Sequence, residues 1–170
     1  AQTDRLLQSG LAPLLVRLLP RDRSQQQQEQ QETPQQQAQA SRGGRPQRME
    51  VEQDAAEIVQ KTAVWVCSNV AASGEEPAHA LLEGGLAAPL LRCLARDASA
   101  VLRHEAAYAL CNMVARCPDS DLTLLLSMEA GRLLASLLLL PLADPALCDE
   151  ELLGLVLESL FSIMQSPAHS

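Results

Sequence analysis

The chain has very few aromatic residues, with one Trp, one Tyr and one Phe among 170 residues. Hydrophobic residues nevertheless make up 47% of it, and Leu and Ala dominate, so any core must be aliphatic. Leu and Ala favour helices, whereas aromatic and β-branched residues favour strands. The composition therefore predicts an all-α fold and disfavours a β-sandwich.

Basic residues are also scarce, since 13 Lys and Arg stand against 21 acidic residues, a net charge of −8. The first 49 residues carry seven Arg and four acidic residues, so residues 50–170 carry a net charge of −11. Such an acidic domain disfavours binding to nucleic-acid phosphates and suits a basic partner.

The chain lacks the usual patterns of metal, cofactor and catalytic sites. No HExxH, GxSxG or phosphate-loop pattern is present, and the three His residues have no partners at ligand spacing. The five Cys residues show no CxxC spacing and lie in or beside apolar runs, at positions 67, 93, 111, 117 and 148. We therefore expect a non-enzymatic protein of the cytoplasm and nucleus, with reduced core thiols and no cofactor or metal.

No signal peptide and no membrane-spanning run is evident. The longest uncharged stretch near the C-terminus, Leu133–Ala143, has eleven residues and contains Pro141, whereas a membrane span needs about 20. We expect no membrane contact. Because an apolar element follows Ala1 almost at once, we also expect the chain to start inside a longer protein.

One segment is of low complexity, since ten of the seventeen residues from Ser24 to Ala40 are Gln. Such a polar tract cannot offset its ordering entropy by burying apolar surface. We predict a disordered Gln/Arg-rich insertion over residues 20–49. Whether its Arg residues contact the acidic domain is left open.

The rest of the chain is repetitive. Leu6–Leu19 aligns without a gap on Leu81–Leu94, with eight identities in fourteen positions, and Lys61–Ala72 aligns on His104–Ala115 at an offset of 43. A period of this size is typical of a helical solenoid. Each unit is predicted to hold two short helices joined at a Gly corner and a longer third helix.

The predicted units have the following boundaries. Residues 1–19 are the end of the first helix and the second helix of a truncated repeat, 50–74 are its third helix, 75–117 are the second repeat and 118–170 are the third. The third helix of the truncated repeat is expected over about Gln53–Ala72.

An aromatic residue and an Asn recur together on the third helices. Trp65 and Asn69, like Tyr108 and Asn112, are spaced i and i+4 and share a helix face. Packed helices lie about 8–10 Å apart, which is roughly three residues of an extended chain. Regularly spaced Asn amides could therefore bond a peptide backbone, and the aromatic rings could stack on Lys or Arg side chains.

These residues carry a resemblance to a known family. Trp65–Gly74 and Glu105–Asn112 resemble third helices of armadillo repeats in the importin alpha family. Leu81–Leu94, with its Gly-Gly corner, resembles that family's joint between first and second helices, and Asp149–Gln165 resembles a late repeat. The resemblance covers roughly 135 of the 170 residues.

The resemblance implies an armadillo-repeat right-handed superhelical solenoid of about three repeats, the first incomplete and interrupted by the Gln-rich insertion. It further implies a nuclear import adaptor whose concave face binds the extended, Lys/Arg-rich nuclear localisation signals of cargo at the family's C-terminal, minor site. Importin beta and an export receptor would bind through regions absent from this sequence.

Carried over by position, the peptide-binding residues are Trp65, Ser68, Asn69, Glu105, Tyr108 and Asn112. The resemblance implies that Trp65 and Tyr108 hold Lys or Arg stems. It implies that Asn69 and Asn112 bond the peptide backbone and that Glu105 pairs with a basic head group. Ser68 is the weaker candidate.

The sequence also departs from the family pattern. Tyr108 replaces the usual Trp, Thr62 stands where Glu105 stands one repeat later, and the third unit has Glu158 and Ser162 in place of the aromatic residue and Asn. Two alternatives stay open. The aromatic and Asn residues could be structural, and the protein could be an armadillo scaffold for another extended basic partner, unrelated to nuclear import.

Overall fold

The computed structural model describes residues 10–19, 46–94, 99–139 and 149–166, with the backbone alone for residues 46–54. All secondary structure in these ranges is helical. Residues 1–9, most of the Gln-rich tract, Cys148 and His169 lie outside the described residues. The predictions made for them are therefore not addressed by the structure.

The described residues contain eight helices, which group into one partial unit and two complete ones. The helices are α1 (Ala12–Leu18), α2 (Pro46–Ala72), α3 (Glu75–Glu83), α4 (Ala87–Cys93), α5 (Ala100–Arg116), α6 (Asp119–Ser127), α7 (Ala130–Leu137) and α8 (Glu150–Gln165). The partial unit holds α1 and α2. The complete units are α3 to α5 and α6 to α8, each ending in its longest helix.

Helix α2 is longer than the sequence predicted. It begins at Pro46, whereas we expected the insertion to reach residue 49 and the helix to begin near Gln53. Proline suits the first turn of a helix, where its missing N–H costs no hydrogen bond. The Gln, Arg, Met and Glu residues that follow have high helix propensities, so the end of the polar tract is helical.

The third helices of the units pack side by side, with α5 between α2 and α8. Their contacts are aliphatic, and Val64, Leu110 and Val156 are each 0% exposed. Cys67 and Cys111 are buried free thiols within the same core. Burial raises the pKa of Cys67 to about 12 and that of Cys111 to about 11, so both remain protonated and unreactive at neutral pH.

The corner between the first and second helices of each unit needs a left-handed backbone. Gly85 has φ +78° and Gly10, its equivalent in the partial unit, has φ +91°. In the third unit the same joint is made by Glu129, the non-glycine residue with positive φ, at +64°. Left-handed geometry is costly for residues with a Cβ atom, which explains the glycines that the sequence places at this corner.

Histidine and aspartate side chains join the second and third units. His79 Nδ1 on α3 lies 2.7 Å from Asp121 Oδ2 on α6, and the Asp121 side chain is only 11% exposed. The hydrogen bond to Asp121 and its negative charge raise the pKa of His79 above its ordinary value. When the pH is below the pKa of His79, a charged pair therefore joins α3 of the second unit to α6 of the third.

Substituting Ala at two glycines should have opposite effects. Gly85→Ala forces a Cβ into a left-handed position and should lower the free energy of unfolding by about 1–2 kcal/mol. Gly154 lies inside α8, and a Cβ there meets no atom within 4 Å, so Gly154→Ala should raise it by about 0.5–1 kcal/mol. Urea unfolding followed by circular dichroism measures both, and two changes of the same sign would contradict the prediction.

The His79–Asp121 pair should make stability depend on pH. Because the pKa of His79 is raised on folding, the stabilisation is fully present below its unfolded value of 6.5 and is lost as pH rises through the folded pKa. The difference in Tm between the unmodified protein and His79→Gln should therefore be larger at acidic than at alkaline pH. Asp121→Asn provides the control. In that background His79→Gln should show a much smaller pH dependence, because only the charges of Glu83 and Glu75 still raise the pKa of His79; a pH-independent difference in the unmodified background would rule out the charged pair.

Candidate peptide-binding face

The three third helices expose matching positions on one side, which we call the groove face. Each contributes four residues at i, i+4, i+7 and i+11, the spacing of one helix stripe. The groove face consists of Ile58, Thr62, Trp65 and Asn69 on α2, Val101, Glu105, Tyr108 and Asn112 on α5, and Glu151, Leu155, Glu158 and Ser162 on α8. All twelve side chains are exposed or half-buried.

Asn112 connects two of the helices. Its Nδ2 donates to Ser68 Oγ at 3.0 Å and approaches the Ser68 carbonyl oxygen at 3.3 Å. Ser68 is only 8% exposed, so it lies beneath the groove face, where it accepts the hydrogen bond from Asn112; its peptide-binding role stays a prediction. The half-buried amide of Asn112 is thereby fixed against Ser68, the residue that precedes Asn69 on the neighbouring helix.

Trp65 and Asn69 lie at the open surface of α2. Trp65 is 55% exposed, so it is not the core residue that one interpretation of the sequence allowed. Asn69 is also exposed, and its Nδ2 donates to the Trp65 carbonyl oxygen at 2.8 Å. The Nδ2 group of Asn112 contacts both Ser68 oxygens, so this amide presents chiefly its oxygen to a ligand. Asn69 uses one of its two N–H bonds and keeps the other, together with its oxygen.

Tyr108 lies at the equivalent position on α5 but in a different environment. Its hydroxyl donates to Asp149 Oδ2 at 2.9 Å, and His104 Nε2 lies 3.1 Å from the same oxygen. The His104 and Tyr108 rings meet edge to face, with centroids 5.1 Å apart. Burial and the bond to Asp149 raise the pKa of Tyr108, so the phenol stays protonated and its ring orientation is held.

Asp149 is the residue that sequence reasoning missed. Its Oδ1 accepts from the backbone N–H groups of Glu151 and Leu152 and caps α8, while its Oδ2 accepts from Tyr108. The hydrogen bond from Tyr108 lowers the pKa of Asp149, so it is a carboxylate at neutral pH. The Asp before an apolar helix is a capping signal in the sequence, but its contact with α5 depends on tertiary packing.

The groove face is acidic near α5 and α8. The negative charges of Asp149, Glu151 and Glu105 each help to raise the pKa of Tyr108. Glu158 is exposed on α8, and Glu105 is half-buried on α5. The surroundings of Tyr108 therefore favour a cation over an anion.

Within the described ranges, no group of His, Cys, Asp and Glu side chains is arranged to hold a metal ion. No helix of the described part combines the length and apolar character needed to cross a membrane.

Two solved structures are similar to the chain. One is the designed armadillo repeat protein YIII(Dq)4CqI, with 29% identity and a TM-score of 0.54, covering 65% of this chain and 43% of that one. The other is the designed armadillo repeat protein YIII(Dq.V1)4CPAF in complex with peptide (KR)4, with 24% identity and a TM-score of 0.50, covering 93% of this chain and 70% of that one. The fold is an armadillo-repeat solenoid.

The predicted fold class is thereby confirmed. The chain spans less than half the length of the first of these designed proteins. No family model and no curated protein matches it.

Two substitutions at Asp149 should separate its roles. Asp149→Ala removes the cap of α8 and the acceptor for Tyr108, so it should lower Tm clearly. Asp149→Asn retains an oxygen that can cap the helix and should lower Tm much less. Tyr108→Phe removes only the phenol oxygen, so its Tm measures the contribution of the hydrogen bond from Tyr108 to Asp149. Equal Tm values for all three variants and the unmodified protein would refute the assigned contacts.

Proposed function

We propose that the chain is a non-enzymatic binding module for extended, Lys/Arg-rich peptides, which it holds on the groove face. The observation that carries the proposal is the matched pair of aromatic and Asn residues, Trp65 with Asn69 and Tyr108 with Asn112, on adjacent packed helices. The similar designed protein in complex with peptide (KR)4 supports this ligand class.

The Asn residues would contact the peptide backbone, and the aromatic residues would contact the peptide side chains. Side-chain oxygens of Asn69 and Asn112 would accept from peptide N–H groups, independent of the peptide sequence. The rings of Trp65 and Tyr108 would stack on basic side chains, each contributing about 0.5–2 kcal/mol. Glu105 would attract the basic head groups, and Asp149 would keep the Tyr108 ring in place.

At a finer level, we propose that the peptides are nuclear localisation signals and that the protein is a nuclear import adaptor of the cytoplasm and nucleus. The resemblance of Trp65–Gly74 and Glu105–Asn112 to importin alpha supports this role. Binding of importin beta and of an export receptor would need regions outside this sequence. The second candidate is an armadillo scaffold for another extended basic partner, unrelated to nuclear import, and the designed protein in complex with peptide (KR)4 is consistent with it.

Peptide binding is testable by fluorescence anisotropy with a labelled (KR)4 peptide. Trp65→Ala should weaken binding by about 2–30-fold, the equivalent of one stacked cation. Leu124→Ala, which truncates a 47% exposed side chain on α6, is the matched control and should leave the affinity unchanged. Added salt should weaken binding to the unmodified protein, because exposed charges are screened; absent or salt-independent binding would refute the proposal.

The transport role requires a separate experiment in cells. A fluorescent reporter with a basic nuclear localisation signal should accumulate less in nuclei when the chain is overexpressed, because the chain would sequester that signal. The Trp65→Ala chain should have less effect, and a reporter whose signal is replaced by Ser and Gly should not respond. Unchanged accumulation, with peptide binding intact in solution, would favour the scaffold.

A further inference from the structure

The groove face changes in charge from one helix to the next. None of its four residues on α2 is charged, whereas α5 contributes Glu105 and α8 contributes Glu151 and Glu158. Beside the α2 residues, exposed Glu57 and Lys61 carry opposite charges. Asp149 adds a further carboxylate where α5 meets α8. Negative charge is therefore concentrated around Tyr108, where α5 meets α8, whereas exposed Arg116 lies one turn beyond Asn112 at the far end of α5.

The α2 end of the groove face is apolar. Ile58 is 65% exposed, Trp65 is 55% exposed and Val101 is 45% exposed. Ile58 and Trp65 are two turns apart on α2, and Val101 is the equivalent of Ile58 on the adjacent helix. Clustered exposed apolar side chains mark surfaces that bind apolar groups. The charged group of a Lys or Arg side chain over Trp65 would lie near Thr62, which is uncharged. On the next helix the equivalent position is Glu105, which carries a negative charge.

We infer that the ligand bound most tightly is an asymmetric extended peptide with Lys or Arg side chains over Glu105 and Glu158. Over Ile58 and Trp65, where a basic side chain can stack on the ring, an apolar side chain is preferred. Neighbouring helices lie about 8–10 Å apart. An extended chain in the polyproline II conformation rises about 3.1 Å per residue and brings a side chain back to the same side every three residues, about 9 Å, so these side chains recur at about every third residue. This inference rests on the proposed peptide binding and specifies its ligand further.

The test compares short labelled peptides with Ser and Gly at all other positions. One carries Phe followed at every third position by two Arg residues, and a second has the same composition with the spacing changed. A third replaces the Phe with Arg. Each peptide is made in both chain directions, because the polarity of binding is not assumed. In one direction the first peptide should bind at least about tenfold more tightly than the other two.

A single substitution should change this preference. Thr62→Glu places a carboxylate at the position equivalent to Glu105, so the peptide with three Arg residues should gain about three- to tenfold in affinity. Thr123→Glu is the matched control. Both threonines are exposed on helices and donate to the carbonyl oxygen four residues earlier, at 2.8 Å for Thr62 and 2.9 Å for Thr123, but Thr123 lies on α6, outside the groove face.

The outcomes separate the inference from the proposed function. Tighter binding of the three-Arg peptide to the unmodified protein, or equal gains from Thr62→Glu and Thr123→Glu, would overturn the inference and leave basic-peptide binding intact. Failure of every peptide to bind would refute both. A preference for the Phe peptide that disappears in Trp65→Ala and is kept in Leu124→Ala would establish the apolar anchor.

Discussion

The stacking of third helices through small aliphatic residues is the interaction on which the rest of this structure depends. Ala106 and Ala107 on α5 are both fully buried, and such small side chains let neighbouring helices approach closely. The stack ends at α8, where Leu157, Phe161 and Met164 are exposed at positions equivalent to buried residues of α5. Regular stacking is also what brings equivalent residues of successive units onto one face.

Polar side chains on the groove face have structural as well as potential binding roles. Asn112 donates to Ser68 and Tyr108 donates to Asp149, so the groups expected to hold a peptide also join the third helices. A hydrogen bond within the protein fixes a side chain before a ligand arrives and lowers the entropy cost of binding. The same bonds occupy the Nδ2 group of Asn112, so its oxygen is its main group for a ligand, whereas Asn69 keeps a second N–H.

The armadillo fold does not determine the ligand, because one fold can present very different surfaces. Here the chemistry of the groove face depends on which residues occupy a few equivalent positions. Thr62 and Glu105 differ by a charge, and Trp65 and Tyr108 differ in ring size, exposure and hydrogen bonding. These differences make one end of the groove face apolar and neutral and the other acidic.

The sequence by itself determined the helical class, the repeat and the glycine corner, because composition, periodicity and left-handed geometry are local properties of the chain. It also predicted the shared helix face of Trp65 and Asn69, which depends only on a spacing of four residues. Only the tertiary structure decided that Ser68 lies beneath that face and that Asp149 reaches Tyr108. Those contacts join residues more than forty positions apart, and their geometry depends on how the helices pack.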